Sequence, residues 1–280
     1  MTEARAVIRE VIEDASLLAE GAVGIDAGLT LTKIARRSAR GVELAACETA
    51  TVLDGRADVR DFGPGAVRVG ITGARGDRVH DGGGVVPVQE IEAAAHGAIA
   101  LLTEPPPEFL LALLGTGTAF AAVRDGQVTH LGGTAMGGGS FLAIARRIAP
   151  SLTYSDVIDR AARGDRRNAD LMVSDAYPQG IGRIGADMTA AHLAKDAGSL
   201  DDLLAALLNM HGESIAQIAA GRGLTAGIRT IVVAGGFAHQ NDALISSITA
   251  MSGLFGMAVN VTPHAGFAGA IGAALMASRQ

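Results

Sequence analysis

The chain has 280 residues, 49% of them hydrophobic, enough for one large domain or two lobes with a buried core and too apolar for intrinsic disorder. Its 23 Lys and Arg against 29 Asp and Glu leave a formal charge of -6, the wrong sign for a nucleic-acid-binding surface. A single cysteine, Cys47, excludes an internal disulfide and a cysteine-cluster metal site and fits a reducing, cytoplasmic setting. Residues 1–21 mix acids and bases through an amphipathic stretch, without the basic head and unbroken apolar run of a secretory signal, and are predicted to form a helical extension. The longest uncharged apolar run, Ala265 to Ala277, is shorter than the roughly 18 residues that span a bilayer, so no membrane is expected as a partner. Aromatic residues are only 3%, which leaves Ala, Val, Leu and Ile to fill the core.

Residues 22–45, AVGIDAGLTLTKIARRSARGVELA, read as an apolar strand, a glycine turn with hydroxyls, a second strand, a polar turn and a third strand. A strand is predicted from Val67 to Thr72, ending in Gly73, and a helix from Ile91 to Leu102 with Glu90 at its start, where a carboxylate suits the helix dipole as a cap. The proline run Glu104-Pro105-Pro106-Pro107 marks a crossing between two units. Residues 109–131, FLLALLGTGTAFAAVRDGQVTHL, repeat the strand order of the first unit, with Asp125-Gly126 as a hairpin signal, and imply an internal duplication. Helices follow over Ser140 to Ile148 and Tyr154 to Arg163, then GDRRNADL as a loop entering a helix, a helix of apolar 3.6 period over Leu203 to Gly221, a strand over Thr230 to Ala234, and a small-residue helix over Ala268 to Ser278. The domains are therefore expected as an extension (1–21), a first α/β lobe (22–104) and a second (105–280).

The chemistry gathers in the glycine turns. Asp26-Ala27-Gly28 ends a strand, where exposed N–H groups can face phosphate oxygens while Asp26 reaches a hydrated magnesium ion. Gly115-Thr116-Gly117-Thr118 holds the matching place in the second unit. Either turn alone reads as an ordinary tight hairpin; two at equivalent places in a duplication read as a polyphosphate clamp. The run from Gly132 to Ser140 carries Gly137, Gly138 and Gly139 into a helix, suiting a nucleotide held against bare backbone, yet it has neither the lysine of a Walker A loop nor a Rossmann setting. Lys33 and Lys195 are the only lysines, which makes each of them more notable than a lysine in an ordinary composition.

VGIDAGLTLTKI (Val23 to Ile34), VQEIEAAAHG (Val88 to Gly97), LGTGTAF (Leu114 to Phe120), LGGTAMGGGSF (Leu131 to Phe141), GDRRNADL, GADMTAAH (Gly185 to His192), IVVAGGF (Ile231 to Phe237) and GFAGAIGAALM (Gly266 to Met276) stand in one order and spacing. In these motifs the chain resembles the type II, or Fumble-type, pantothenate kinases of the actin, sugar kinase and Hsp70 ATPase superfamily. The resemblance implies an α/β fold of two ribonuclease-H-like lobes with mixed sheets around an ATP cleft. It also implies transfer of the γ-phosphoryl of MgATP to the primary hydroxyl of pantothenate, the first step of coenzyme A biosynthesis. Glu90 falls on the family's catalytic carboxylate; Asp26 would orient Mg2+; Gly28, Thr30 and Lys33 would join the second-lobe turns at the nucleotide. A homodimer through the second lobe is implied as well, with the apolar helix from Leu203 as a possible surface.

Three positions depart from the family pattern. Leu29 stands where a second glycine is usual after Asp-Ala, His130 stands where a substrate-binding arginine is usual, and a Thr-Gly-Gly-Gly-like loop reads Thr72-Gly73-Ala74-Arg75. Arg75 is therefore expected to supply the positive charge that His130 lacks at neutral pH. These changes also keep open an acceptor other than pantothenate, pantetheine or a sugar, and a nucleotide-binding pseudokinase.

Overall fold

The structure is a computed structural model describing residues 8–52, 68–79, 85–182, 184–196 and 198–279. The chain opens with a strand, β1 (Ile8–Ile12), and one 3-10 turn, Ala15–Leu17, where a helical extension was expected. Ile8, Val11 and Ile12 have helical spacing, but burial alternates along β1 and its five residues pair antiparallel with a later strand, β4. Pairing of a β-branched segment at a sheet edge overrides the helical pattern. Residues 1–7 of the expected extension lie outside the described residues.

The first meander follows as β2 (Ala22–Ala27), β3 (Leu31–Ser38) and β4 (Gly41–Glu48), with a single helical turn α1 (Thr49–Thr51) after it. Next come β5 (Arg68–Thr72), β6 (Val85–Pro87) and α2 (Glu90–Leu101). The second meander is β7 (Glu108–Leu114), β8 (Thr118–Arg124) and β9 (Gln127–Thr134); Asp125 and Gly126 between the last two both have positive φ, as a tight hairpin turn demands. The chain continues through α3 (Gly138–Ile148), α4 (Tyr154–Arg163), β10 (Leu171–Met172), α5 (Val173–Ala176), β11 (Thr189–Ala191), α6 (Leu200–Thr225), β12 (Thr230–Ala234), α7 (Asp242–Leu254), β13 (Ala258–Val261) and α8 (Ala268–Ala277). The GDRRNADL tract forms a 3-10 turn over Arg166–Asn168 and then β10, with a helix only beyond it.

Two mixed sheets carry the fold, ordered β1-β4-β3-β2-β5-β6 and β13-β12-β7-β8-β9. Apart from the added β1 they share one topology, an antiparallel meander whose first strand pairs in parallel with a later strand, which pairs in parallel with the next. The glycine turns after β2 and β7 therefore occupy equivalent ends of equivalent strands.

The two sheets divide between β6 and β7, but α8, expected in the second lobe, lies on the first sheet. Gly24 and Gly70 are neighbours in the parallel pair β2–β5, and methyl groups there would sit 1.8 Å from the Ala270 carbonyl oxygen and 2.0 Å from that of Ala273. Only a bare strand surface lets α8 come this close. The same helix crosses α2 where Gly97 faces Ala268 and Gly272 faces Ala93. On its other side α2 sets Ala94, Ala95 and Ala98 against Phe109, Leu111 and Val232 of the second sheet. The crossed pair α2 and α8 thus stands between the lobes.

Helix α6 is longer than expected and is the core of the second lobe. Leu204, Leu207, Leu208, Ile215, Ala216 and Ala219 are buried against β7, β12 and α7, so the apolar stripe read as a possible dimer surface is spent inside the molecule.

Candidate active site

Asp26 is the last residue but one of β2, with its side chain mostly covered, and Lys33, opposite it on β3, places Nζ 3.2 Å from Oδ2. The second carboxylate oxygen, Oδ1, is buried and has no hydrogen-bond partner among the described residues. Leaving a buried carboxylate oxygen unpaired is costly unless another group serves it, and a hard cation or its bound water fits that place. No group of three or more His, Cys, Asp or Glu side chains gathers for a metal among the described residues, so Asp26 would share such an ion with phosphate oxygens and water. The Thr72-Gly73 turn wraps this carboxylate: Gly73 has φ +92 and a methyl there would lie 2.6 Å from Oδ1. From the other side Gly269, in the first turn of α8, comes against Oδ2.

Glu90 is the first residue of α2, and the structure gives its expected capping role to a neighbour. Gln89 accepts from the N–H groups of Ile91 and Glu92 at 2.8 and 3.0 Å, leaving the Glu90 carboxylate with no hydrogen bond among the described residues. It stands open to solvent at the cleft, yet the surrounding protein withholds enough water to raise its pKa above 4.5; the Asp26 charge raises it further and Lys33 opposes them. Glu90, Asp26 and Lys33 form one electrostatic group.

The first glycine turn is tight because Gly28 donates to the Leu31 carbonyl at 3.2 Å, where a side chain at position 28 would collide. Thr49 braces it, donating from Oγ1 to the Gly28 carbonyl at 2.9 Å and from its main chain to that of Thr30. Leu29 points into solvent at negative φ, so a second glycine is not required by the backbone here.

In the second lobe the glycine segments interlock. Gly138 and Gly139 donate to the carbonyls of Gly115 and Thr116, both at 2.9 Å, while Gly115 donates to Gly117. The Thr118 hydroxyl donates to Met136, and the Gly137 N–H donates to Ser140 Oγ. These amides, expected to face a nucleotide, are occupied by the protein itself. Gly137, Gly138 and Gly139 offer close-fitting bare surface instead, and the donors left without a partner among the described residues are the N–H groups of Leu29, Thr30, Thr116 and Gly117. Both turns keep two such donors. A turn that the sequence reading left out of the site, Gly235-Gly236, adjoins them: a methyl at Gly236 would meet Lys33 Cε at 3.8 Å, bringing the first-lobe lysine to the second lobe.

Arg75 follows the Gly73 turn and is anchored by its N–H to the Ala27 carbonyl at 2.9 Å; its half-buried guanidinium makes no hydrogen bond or ion pair among the described residues. His130 is exposed on the edge strand β9, sharing the α2 side of the sheet with Val128, and no described contact joins it to Asp26, Lys33 or Glu90.

A protein-family model, Fumble, matches residues 100–276. The chain belongs to the Fumble family. Similar relatives are the type II pantothenate kinase of Oceanobacillus iheyensis, 29% identical with 90% of this chain and 98% of that one covered, and that of Bacillus cereus strain G9842, 28% identical with 93% and 100% covered. Among solved structures, the activator of the 2-hydroxyisocaproyl-CoA dehydratase from Clostridium difficile with bound ADPNP aligns at a TM-score of 0.60 and 18% identity, covering 91% of this chain and 93% of that one. A ROK family glucokinase from Streptomyces griseus in complex with glucose and AMPPNP aligns at 0.53 and 14% identity, covering 92% and 99%. At such identities the structural likeness speaks for the fold alone, the two mixed sheets and their helices seen in this Fumble chain.

Proposed function

We propose that this chain is a pantothenate kinase, transferring the γ-phosphoryl of ATP to the primary hydroxyl of pantothenate. The observation that carries the reading is the Glu90 carboxylate, released from capping by Gln89 and raised in basicity beside the Asp26–Lys33 pair. A carboxylate in this position accepts the proton of an attacking hydroxyl. Lys33 and the free N–H groups of the two glycine turns supply positive charge and donors to a polyphosphate, which is where most of the acceleration of phosphoryl transfer arises. Bound magnesium would neutralise phosphate charge, with Asp26 Oδ1 as its protein ligand or the acceptor for its water. The names of the relatives, all type II pantothenate kinases over nearly their whole lengths, support the acceptor, and the ATP analogues bound by two of the solved neighbours support the donor.

Pantothenate carries a carboxylate, which needs a cation when taken out of water. Arg75, poised on the Gly73 turn with no side-chain partner among the described residues, is our candidate for it; His130 on the strand edge is the second. No described helix is long and apolar enough to cross a membrane; a cytoplasmic setting is our proposal from the single cysteine, Cys47, which a reducing compartment suits. We also propose a homodimer, through the exposed Leu171, Tyr177, Ile181 and Ile184 of the second lobe. Light scattering that reports a monomer across micromolar concentrations would remove that claim.

A coupled ADP-release assay across pantothenate, pantetheine and N-acetylglucosamine tests the acceptor. Pantothenate should give the highest kcat/KM; preference for either of the others would reassign it, and ATP binding without turnover on any would make the chain a pseudokinase.

A further inference from the structure

We infer that His211, a residue of α6 remote from the reacting groups, is a positioning residue for the nucleotide: through Ser140 it fixes the glycine entry to α3 and with it the second glycine turn. This rests on the reading of those turns as the ATP site.

His211 is fully buried in the middle of the core helix. Its Nδ1 lies 2.9 Å from the Leu207 carbonyl, one turn back, and its Nε2 lies 3.1 Å from Ser140 Oγ. A carbonyl oxygen only accepts, so Nδ1 carries the proton; burial, which lowers the pKa of this imidazole, keeps the ring neutral and Nε2 an acceptor. The Ser140 hydroxyl has one proton to give. It goes to Nε2, although the Gly137 carbonyl is also within 3.0 Å, and the oxygen then accepts the Gly137 N–H at 3.1 Å. One directed chain of hydrogen bonds runs from Gly137 to Ser140 to His211 to the α6 backbone.

Packing holds the ring in that direction. Phe141 and Phe237 meet it edge-on, with centroids 5.6 and 6.3 Å away, and Phe237 in turn lies against Gly138, where a methyl would come within 3.2 Å of it. The Gly137–Gly139 segment and the Gly235–Phe237 turn are thus referred to the same imidazole. Because Gly138 and Gly139 clasp Gly115 and Thr116, a shift at Gly137 is passed to the turn that presents the free N–H groups of Thr116 and Gly117.

His211→Leu keeps an apolar core side chain and removes the acceptor, and Ser140→Ala removes the other end of the same bond. Each should raise the KM for ATP about tenfold, the effect of one buried group left unpaired, with the pantothenate KM held within about twofold. The double variant should be no worse than either single one, and His211→Gln, whose carbonyl can take the place of Nε2, should recover most of the loss. Equilibrium binding of a fluorescent ADP should follow the same order. If wild type binds this probe and Ser140→Ala binds it equally tightly, the positioning role is overturned while the ATP site stands. If wild type does not bind it, both are overturned.

Discussion

At the residue scale the site is organised around the carboxylates Asp26 and Glu90, which differ in what surrounds them: Asp26 is paired with Lys33, and Glu90 is left unpaired at the head of its helix. Glu90→Gln keeps the shape and removes the basicity, so kcat should fall about 100-fold to 10,000-fold while the nucleotide Kd stays within a few fold. The acidic limb of kcat/KM should have its midpoint above the 4.5 of an ordinary glutamate. A carbon-detected NMR titration of Glu90 should move down in Asp26→Asn, which deletes the like charge, and up in Lys33→Met, which deletes the opposing one. The linkage sign follows: a carboxyl raised in the folded state costs stability as pH rises through its titration, so Glu90→Gln should melt higher than wild type at pH 7 and lose that advantage at pH 4. Asp26 stood out by its place at a glycine turn and Lys33 by the scarcity of lysine, whereas Glu90 was singled out by the family resemblance alone, its local reading as a cap having gone to Gln89. Gln89, Thr49 and the Ser140–His211 bond were not, because their roles depend on partners that only the folded chain brings within reach.

Elements are placed here by the absence of side chains as much as by their presence. Gly70→Ala would drive a methyl onto the Ala273 carbonyl, and backbone cannot swing aside as a side chain can. Such overpacking should cost about 1–3 kcal/mol, read as a lower urea midpoint, while Gly126→Ala at a turn open on all sides should cost less despite its positive φ. The long core helix α6 depends on its start: Ser199 and Asp202 form a capping box, and Asp202 also accepts the Asp165 N–H at 2.7 Å. Ser199→Ala should destabilise the fold by about 1 kcal/mol. These bonds lower the Asp202 pKa to about 2, so their contribution is present above 3.8 and is lost as pH falls through 2. The two meanders, α4 and β12 were visible from periodicity and turn residues alone. Two readings missed for physical reasons: Ile8 to Ile12 has apolar residues at helical spacing, yet pairs on the free edge of β4 with Glu10 covered and Val11 exposed, and the apolar stripe of α6 could not say whether its cover was its own lobe or a second chain.

The whole molecule repeats one sheet topology twice and stitches the copies together with helices. β1 adds a further tie, since Glu10 meets His239 at 2.7 Å, and His264 as well, both on second-lobe loops. α2 and α8 cross between the two sheets, whose glycine turns come together where Lys33 meets Gly236. We propose that the cleft between the two copies moves a phosphoryl group onto the primary hydroxyl of pantothenate, with Glu90 taking its proton. Incubating wild type and Glu90→Gln with ATP, magnesium and pantothenate and recording phosphorus NMR of the product tests it directly. Wild type should give a phosphate monoester signal split into a triplet by the adjacent methylene, and the variant almost none. An ester formed equally by both proteins, or ADP released by wild type with pantothenate unmodified, would contradict it.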